Sequence, residues 1–157
     1  SIYTNQKNKL IITCYRHGDF LQKPSNHYHL GSGCRKCGES KGEIEVRKWL
    51  EYNNIIFEKE YVFNDCTDLG KLRFDFYLPE YNICIEFDGL QHFKPIKQFG
   101  GILEFERLKK RDDLKNKFCN LENIELIRLN YKQLKEIDII LNSIFKNKIR
   151  KCQEHTQ

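Results

Sequence analysis

The chain has 157 residues, 39% hydrophobic and 31% charged, enough apolar material for one real core beneath a heavily solvated surface. No run approaches the ~18 apolar residues of a membrane span, and no charged segment followed by an apolar one opens the chain, so neither a membrane protein nor a secreted one is expected. A net charge of +5 suggests an anionic partner, nucleic acid being the usual one, and seven unevenly spaced cysteines suit a reducing, intracellular location better than a disulfide framework.

The first elements lie in residues 1–39, which read as a separate zinc-binding module. A short β-rich run over 9–13 leads into Cys14-x-x-His17-Gly18, and a polar stretch leads to Cys34-x-x-Cys37-Gly38, giving C-x2-H-x16-C-x2-C. Two close pairs converge on one tetrahedral ion, and a glycine after each suits the turn that aims backbone amides at the sulfurs. With few large apolar side chains in this stretch, the metal would supply the folding energy. Cys14, His17, Cys34 and Cys37 are therefore expected to hold structural zinc; His27 and His29 are less aptly spaced substitutes for His17. Arg16, Lys23, Arg35, Lys36 and Lys41 surround the module and are suited to DNA contact.

Residues 40–150 read as the main α/β domain, with 151–157 as a tail. Ser40-x-x-Glu43 has the form of a capping box and opens a predicted helix over 41–53. Strands are expected at 55–63, 71–78 and 82–88, then a loop over 90–102 and a charged helix over 103–119. A fourth strand at 124–130 and a helix over 132–147, with Leu134, Ile137, Ile140, Leu141, Ile144 and Phe145 on one face, complete the order α-β-β-β-α-β-α. Hairpin-linked strands followed by a crossover helix and one more strand predict a mixed sheet flanked by helices.

Alternation within Arg73–Tyr77 puts Phe74 and Phe76 on one strand face and Asp75 on the other; within Cys84–Asp88 it sets Glu86 and Asp88 opposite Ile85 and Phe87. Adjacent strands can thus gather Asp75, Glu86 and Asp88. Acids in otherwise apolar strands are expensive to bury without a cation, and a hard divalent ion such as Mg²⁺ suits oxygen ligands. His92, just past the Gly89 turn, is placed to accept a proton from a water in the same pocket.

The pattern Asp75…Glu86-Phe87-Asp88 resembles the PD-(D/E)xK nuclease superfamily, and Glu86-x-Asp88-Gly89-x-x-His92 resembles the very short patch repair endonucleases and the related EDxHD homing endonucleases. The N-terminal motif is similar to zinc modules found beside nucleases in phages and large DNA viruses. The resemblance implies a restriction-endonuclease-like fold behind a small treble-clef or ribbon-like zinc module. It also implies Mg²⁺ or Mn²⁺ held by Asp75, Glu86 and the Phe87 carbonyl, a first-helix acid at Glu43, His92 as base, and a later helix acid at Asp112 or Asp113, Asp112 being preferred. The superfamily's lysine would fall at position 88, which is Asp88 here; Gln91, Lys94 and Lys109 are further candidates for its role. The expected activity is metal-dependent DNA phosphodiester hydrolysis of homing, repair or restriction type. Lys94, Lys97, Arg107, Lys109, Lys110 and Arg111 are expected on the DNA backbone, Arg128 on a phosphate or an acid, and a double-strand cut would favour a homodimer. The rival reading is a DNA-binding zinc protein with an inactive nuclease-like core.

Overall fold

The computed structural model describes residues 9–14, 18–24, 38–97 and 100–154. The chain divides into two compact units, Ser1–Ser40 and Lys41–Gln157. In the first, β1 (Leu10–Cys14) pairs antiparallel with β2 (Gly18–Gln22), from Leu10↔Gln22 to Cys14↔Gly18. Gly18 has φ +76, a left-handed conformation that glycine adopts without steric penalty. Cys14 is buried at the end of β1, while Ile11 and Leu21 face solvent. His17, Cys34 and Cys37, the other expected zinc ligands, lie outside the described residues, as do Arg16, Arg35 and Lys36.

The second unit is a four-stranded mixed sheet with three helices. Its order is α1 (Lys41–Tyr52), β3 (Glu58–Tyr61), β4 (Phe74–Leu78), β5 (Ile83–Asp88), α2 (Gly101–Leu121), β6 (Glu125–Asn130) and α3 (Ile137–Glu154). The strands lie β3-β4-β5-β6; β3/β4 and β4/β5 are antiparallel, and β5/β6 are parallel across the α2 crossover. No described helix is long and apolar enough to cross a membrane.

Helix α1 ends where expected. The Asn53 side chain donates to the Trp49 carbonyl at 2.9 Å, and Asn54 takes the left-handed φ of 54° that terminates many helices. The β4–β5 hairpin turns through Asn82, whose left-handed φ of 51° suits asparagine. Two apolar clusters sandwich the sheet. On one face α1 and α3 bury Val46, Trp49, Leu50, Ile137, Leu141 and Phe145 against Phe76, Leu78, Ile83, Ile85, Ile127 and Leu129. The predicted apolar stripe of the last helix is the one that packs here, each large side chain contributing roughly 1.5–3 kcal/mol. On the other face α2 covers Cys84, Leu126 and Tyr77 with Cys119, Leu114 and Phe118.

Several expectations need correction. The strand expected over 55–63 is only Glu58–Tyr61, and that over 71–78 begins at Phe74. The last helix starts later than residue 132, because Asn130 and Gln133 cap a separate 3-10 turn over Tyr131–Gln133. It then runs to Glu154, through most of the expected tail. Phe74 does not share a face with Phe76: it packs with Phe63 and Phe118 on the α2 side, at ring distances of 5.4 and 6.5 Å. Two-residue alternation requires a regular ladder, and the ladder is irregular here. Glu60 of β3, at the step the β3/β4 register skips between Lys59↔Phe76 and Tyr61↔Phe74, has φ 49°, and the β4/β5 pairing stops one step short of Asp75.

Candidate metal centre

The β4/β5 register runs Leu78↔Ile83, Tyr77↔Cys84, Phe76↔Ile85; one further step would pair Asp75 with Glu86. Instead, side chains take over from the ladder. The Asp75 N–H donates to Glu86 Oε1 at 3.1 Å, and the Phe87 N–H donates to Asp75 Oδ2 at 2.8 Å. Buried amides must find acceptors, and here the acceptors are the two carboxylates. The strands therefore part with Asp75 and Glu86 set between them.

Glu86 is 3% exposed and Asp75 half-buried. Burial, then the charge of Glu86, pushes Asp75 up to about 7, with a smaller contribution from Glu43 on α1. Burial also raises Glu86, against the pull of Lys115. Glu43 is thus near enough to be felt at the pair, and its neighbour Gly42 lies under the Phe87 ring, where an added Cβ would come within 2.2 Å of ring carbons. Helix α1 meets the end of β5 at that contact.

A second cluster adjoins the first. Parallel pairing sets Arg128 of β6 opposite Glu86. Its guanidinium donates to both Asp88 oxygens at 2.9 and 2.8 Å and to Asp112 Oδ1 at 2.9 Å. The other Asp112 oxygen lies 2.8 Å from His92 Nδ1, and Asp88 Oδ1 is 3.6 Å from the same nitrogen. The bond to Asp112 raises His92 above its ordinary value; Asp112 is held low by His92 and Arg128 despite its burial. Asp113 is exposed, so of the two helix acids Asp112 is the one that reaches the site.

Lys115, one turn beyond Asp112 on α2, was not anticipated. Its amine donates to Glu86 Oε2 at 2.7 Å and sits 5.1 Å from the centre of the Phe74 ring. A signal existed, since residues 112 and 115 share a helix face, but a helix dense in lysine does not advertise which one turns inward. Arg128, expected on a phosphate or an acid, binds acids. A cleft of about 460 Å³ opens beside His92, Asp112 and Lys115, with Lys71, Arg73 and Arg111 also along it. Of the basic residues expected on DNA, Arg111 is the one in this cleft. Lys110 pairs with Asp68, Arg107 with Glu104, and Lys109 sits over Phe105; Lys94 and Lys97 are exposed on the preceding loop.

Two places could take a cation. Asp88, His92 and Asp112 each offer a ligand atom within 4.8 Å of one another, but the Arg128 fork already satisfies both acids. Asp75 and Glu86 form the more receptive pair: one half-buried and one buried set of hard oxygens, with Lys115 the one cation bonded to them among the described residues. Their elevated titration is what two crowded carboxylates show.

No protein-family model matches the chain, and no solved structure is significantly similar to it. The chain is similar to Uncharacterized protein 307L of Invertebrate iridescent virus 6, with 36% identity over an alignment of 113 residues that covers 59% of this chain and 57% of that protein.

Proposed function

We propose that the second unit is a metal-dependent DNA endonuclease with a restriction-endonuclease-like core, and that residues 1–39 form a zinc module held by Cys14, His17, Cys34 and Cys37. The observation that carries the catalytic reading is the parted ladder, with Asp75 and Glu86 facing each other and Asp75 raised to about 7. Hard oxygen donors fit Mg²⁺ or Mn²⁺, with Asp75, Glu86 and the Phe87 carbonyl as the holding set. A divalent ion held there would supply charge to the scissile phosphate and acidify the attacking water.

The protein's own groups do the rest. Asp112 engages His92 at Nδ1, which leaves Nε2 to accept the proton as water attacks phosphorus. Arg128 ties Asp112 and Asp88 together, so the histidine's partner cannot swing away. Asp88 thereby acts as a brace for the dyad. Lys71, Arg73 and Arg111 line the cleft and offset phosphate charge along the strand. Glu43 adds negative charge from α1, strengthening the pair's demand for a cation.

One observation favours the rival reading of an inactive DNA-binding core: Asp88 stands where the superfamily's strand carries lysine. Plasmid cleavage with Mg²⁺, Mn²⁺ or EDTA, comparing wild type with Asp75→Asn, separates the two. Nicked or linear product that appears only with metal, and falls at least about 10²-fold in the variant, is expected. DNA binding without metal-dependent cleavage would establish the rival.

A further inference from the structure

Two cations serve the acids of the site, and they are bound differently. Arg128 holds both Asp88 oxygens through Nη1 and Asp112 through Nη2, one guanidinium spanning two carboxylates. Lys115 is a point charge with one short contact, to Glu86 Oε2 at 2.7 Å, its side chain 12% exposed. No ion pair reaches the Asp75 carboxylate among the described residues; it accepts from the Phe87 amide at 2.8 Å. The half-buried Asp75 and the buried Glu86 thus share one directly bonded ammonium, with Arg128 acting on Glu86 only through space.

We propose that Lys115 is an internal counter-ion that closes the Asp75–Glu86 pair while no divalent cation is bound, and that cation binding turns its amine into the cleft to meet a phosphate. This rests on the metal-dependent reading above. The amine and a divalent ion compete for the same Glu86 carboxylate, and like charges this close in a low-dielectric pocket repel strongly. The path outward is already present. Lys115 lines the cleft together with Arg111 and His92. The Phe74 ring beneath the amine gives the cation a favourable face to slide along. A four-carbon stem lets the swing occur by side-chain rotation, leaving α2 in place. The amine that the motif lacks at position 88 would thus reach the phosphate from a helix, and only after the cation has arrived.

The test is a Mn²⁺ titration by calorimetry on the full chain dialysed into metal-free buffer, with circular dichroism confirming that each variant is folded. Wild type should bind Mn²⁺ at a site lost in Asp75→Asn. Lys115→Met, freed of the competitor, should bind about tenfold tighter yet cleave more slowly at saturating Mn²⁺. Lys115→Arg keeps the charge and should gain no affinity. Unchanged or weaker binding in Lys115→Met, or equal tightening in both variants, would overturn the counter-ion role and leave the metal centre standing. Failure of wild type to bind Mn²⁺ would overturn both.

Discussion

In the proposed mechanism His92 can act as a base only when its ring is neutral, and its partner decides the pH at which that holds. The hydrogen bond from Nδ1 to Asp112 stabilises the charged ring and raises its titration. Metal-dependent cleavage should therefore climb with pH through a point above the ordinary histidine value. Asp112→Asn removes the stabilising charge, so the acid limb should move to lower pH while the plateau rate falls about 10²-fold. A pH–rate profile of the two proteins at saturating Mn²⁺ reads both effects. An unmoved limb would mean that a group other than His92 is being titrated.

Among the elements, the contact between α1 and β5 is the tightest constraint. Gly42 has no room for a side chain because the Phe87 ring fills the space. Gly42→Ala should destabilise the domain by about 1–3 kcal/mol through overpacking. Because Phe87 also donates its amide to Asp75, the variant should lose cleavage even where it remains folded. Urea denaturation and the plasmid assay, run side by side, check the pair of effects. The same elements explain what could be read from residues alone. The apolar stripe of α3 is long and regular, so its buried face was legible; so was the pairing of Glu86 and Asp88 on one strand face, since β5 alternates without interruption. Phe74 was not legible, because the irregularity at Asp75 and Glu60 arises from cross-strand bonding that one strand's pattern does not contain. Lys115 escaped because α2 is charged nearly all round, with Cys119 its one fully buried residue. Such a helix has no apolar stripe to reveal which charges point inward.

At the scale of the whole molecule, the two units differ in how they can be stable. The second has a two-sided core; in the first, among the described residues, Cys14 is the one buried apolar side chain, and Ile11 and Leu21 are each 63% exposed. On the zinc-module proposal the full chain should carry one zinc ion, and Cys34→Ser should release it. Elemental analysis and a colorimetric zinc-release assay measure this, and zinc-free purified protein would remove the assignment.

The parted ladder has a consequence for how inactive versions of this protein should be built. In the proposed metal centre each acid is at once a ligand and the acceptor for a half-buried amide: Glu86 for Asp75, Asp75 for Phe87. Alanine at either position deletes a ligand and orphans a backbone donor, a loss of about 1–3 kcal/mol unrelated to chemistry. A dead alanine variant would therefore leave mechanism and folding entangled. Asparagine or glutamine keeps an oxygen for the amide and removes only the charge, so the amide isosteres are the knockouts whose silence is interpretable.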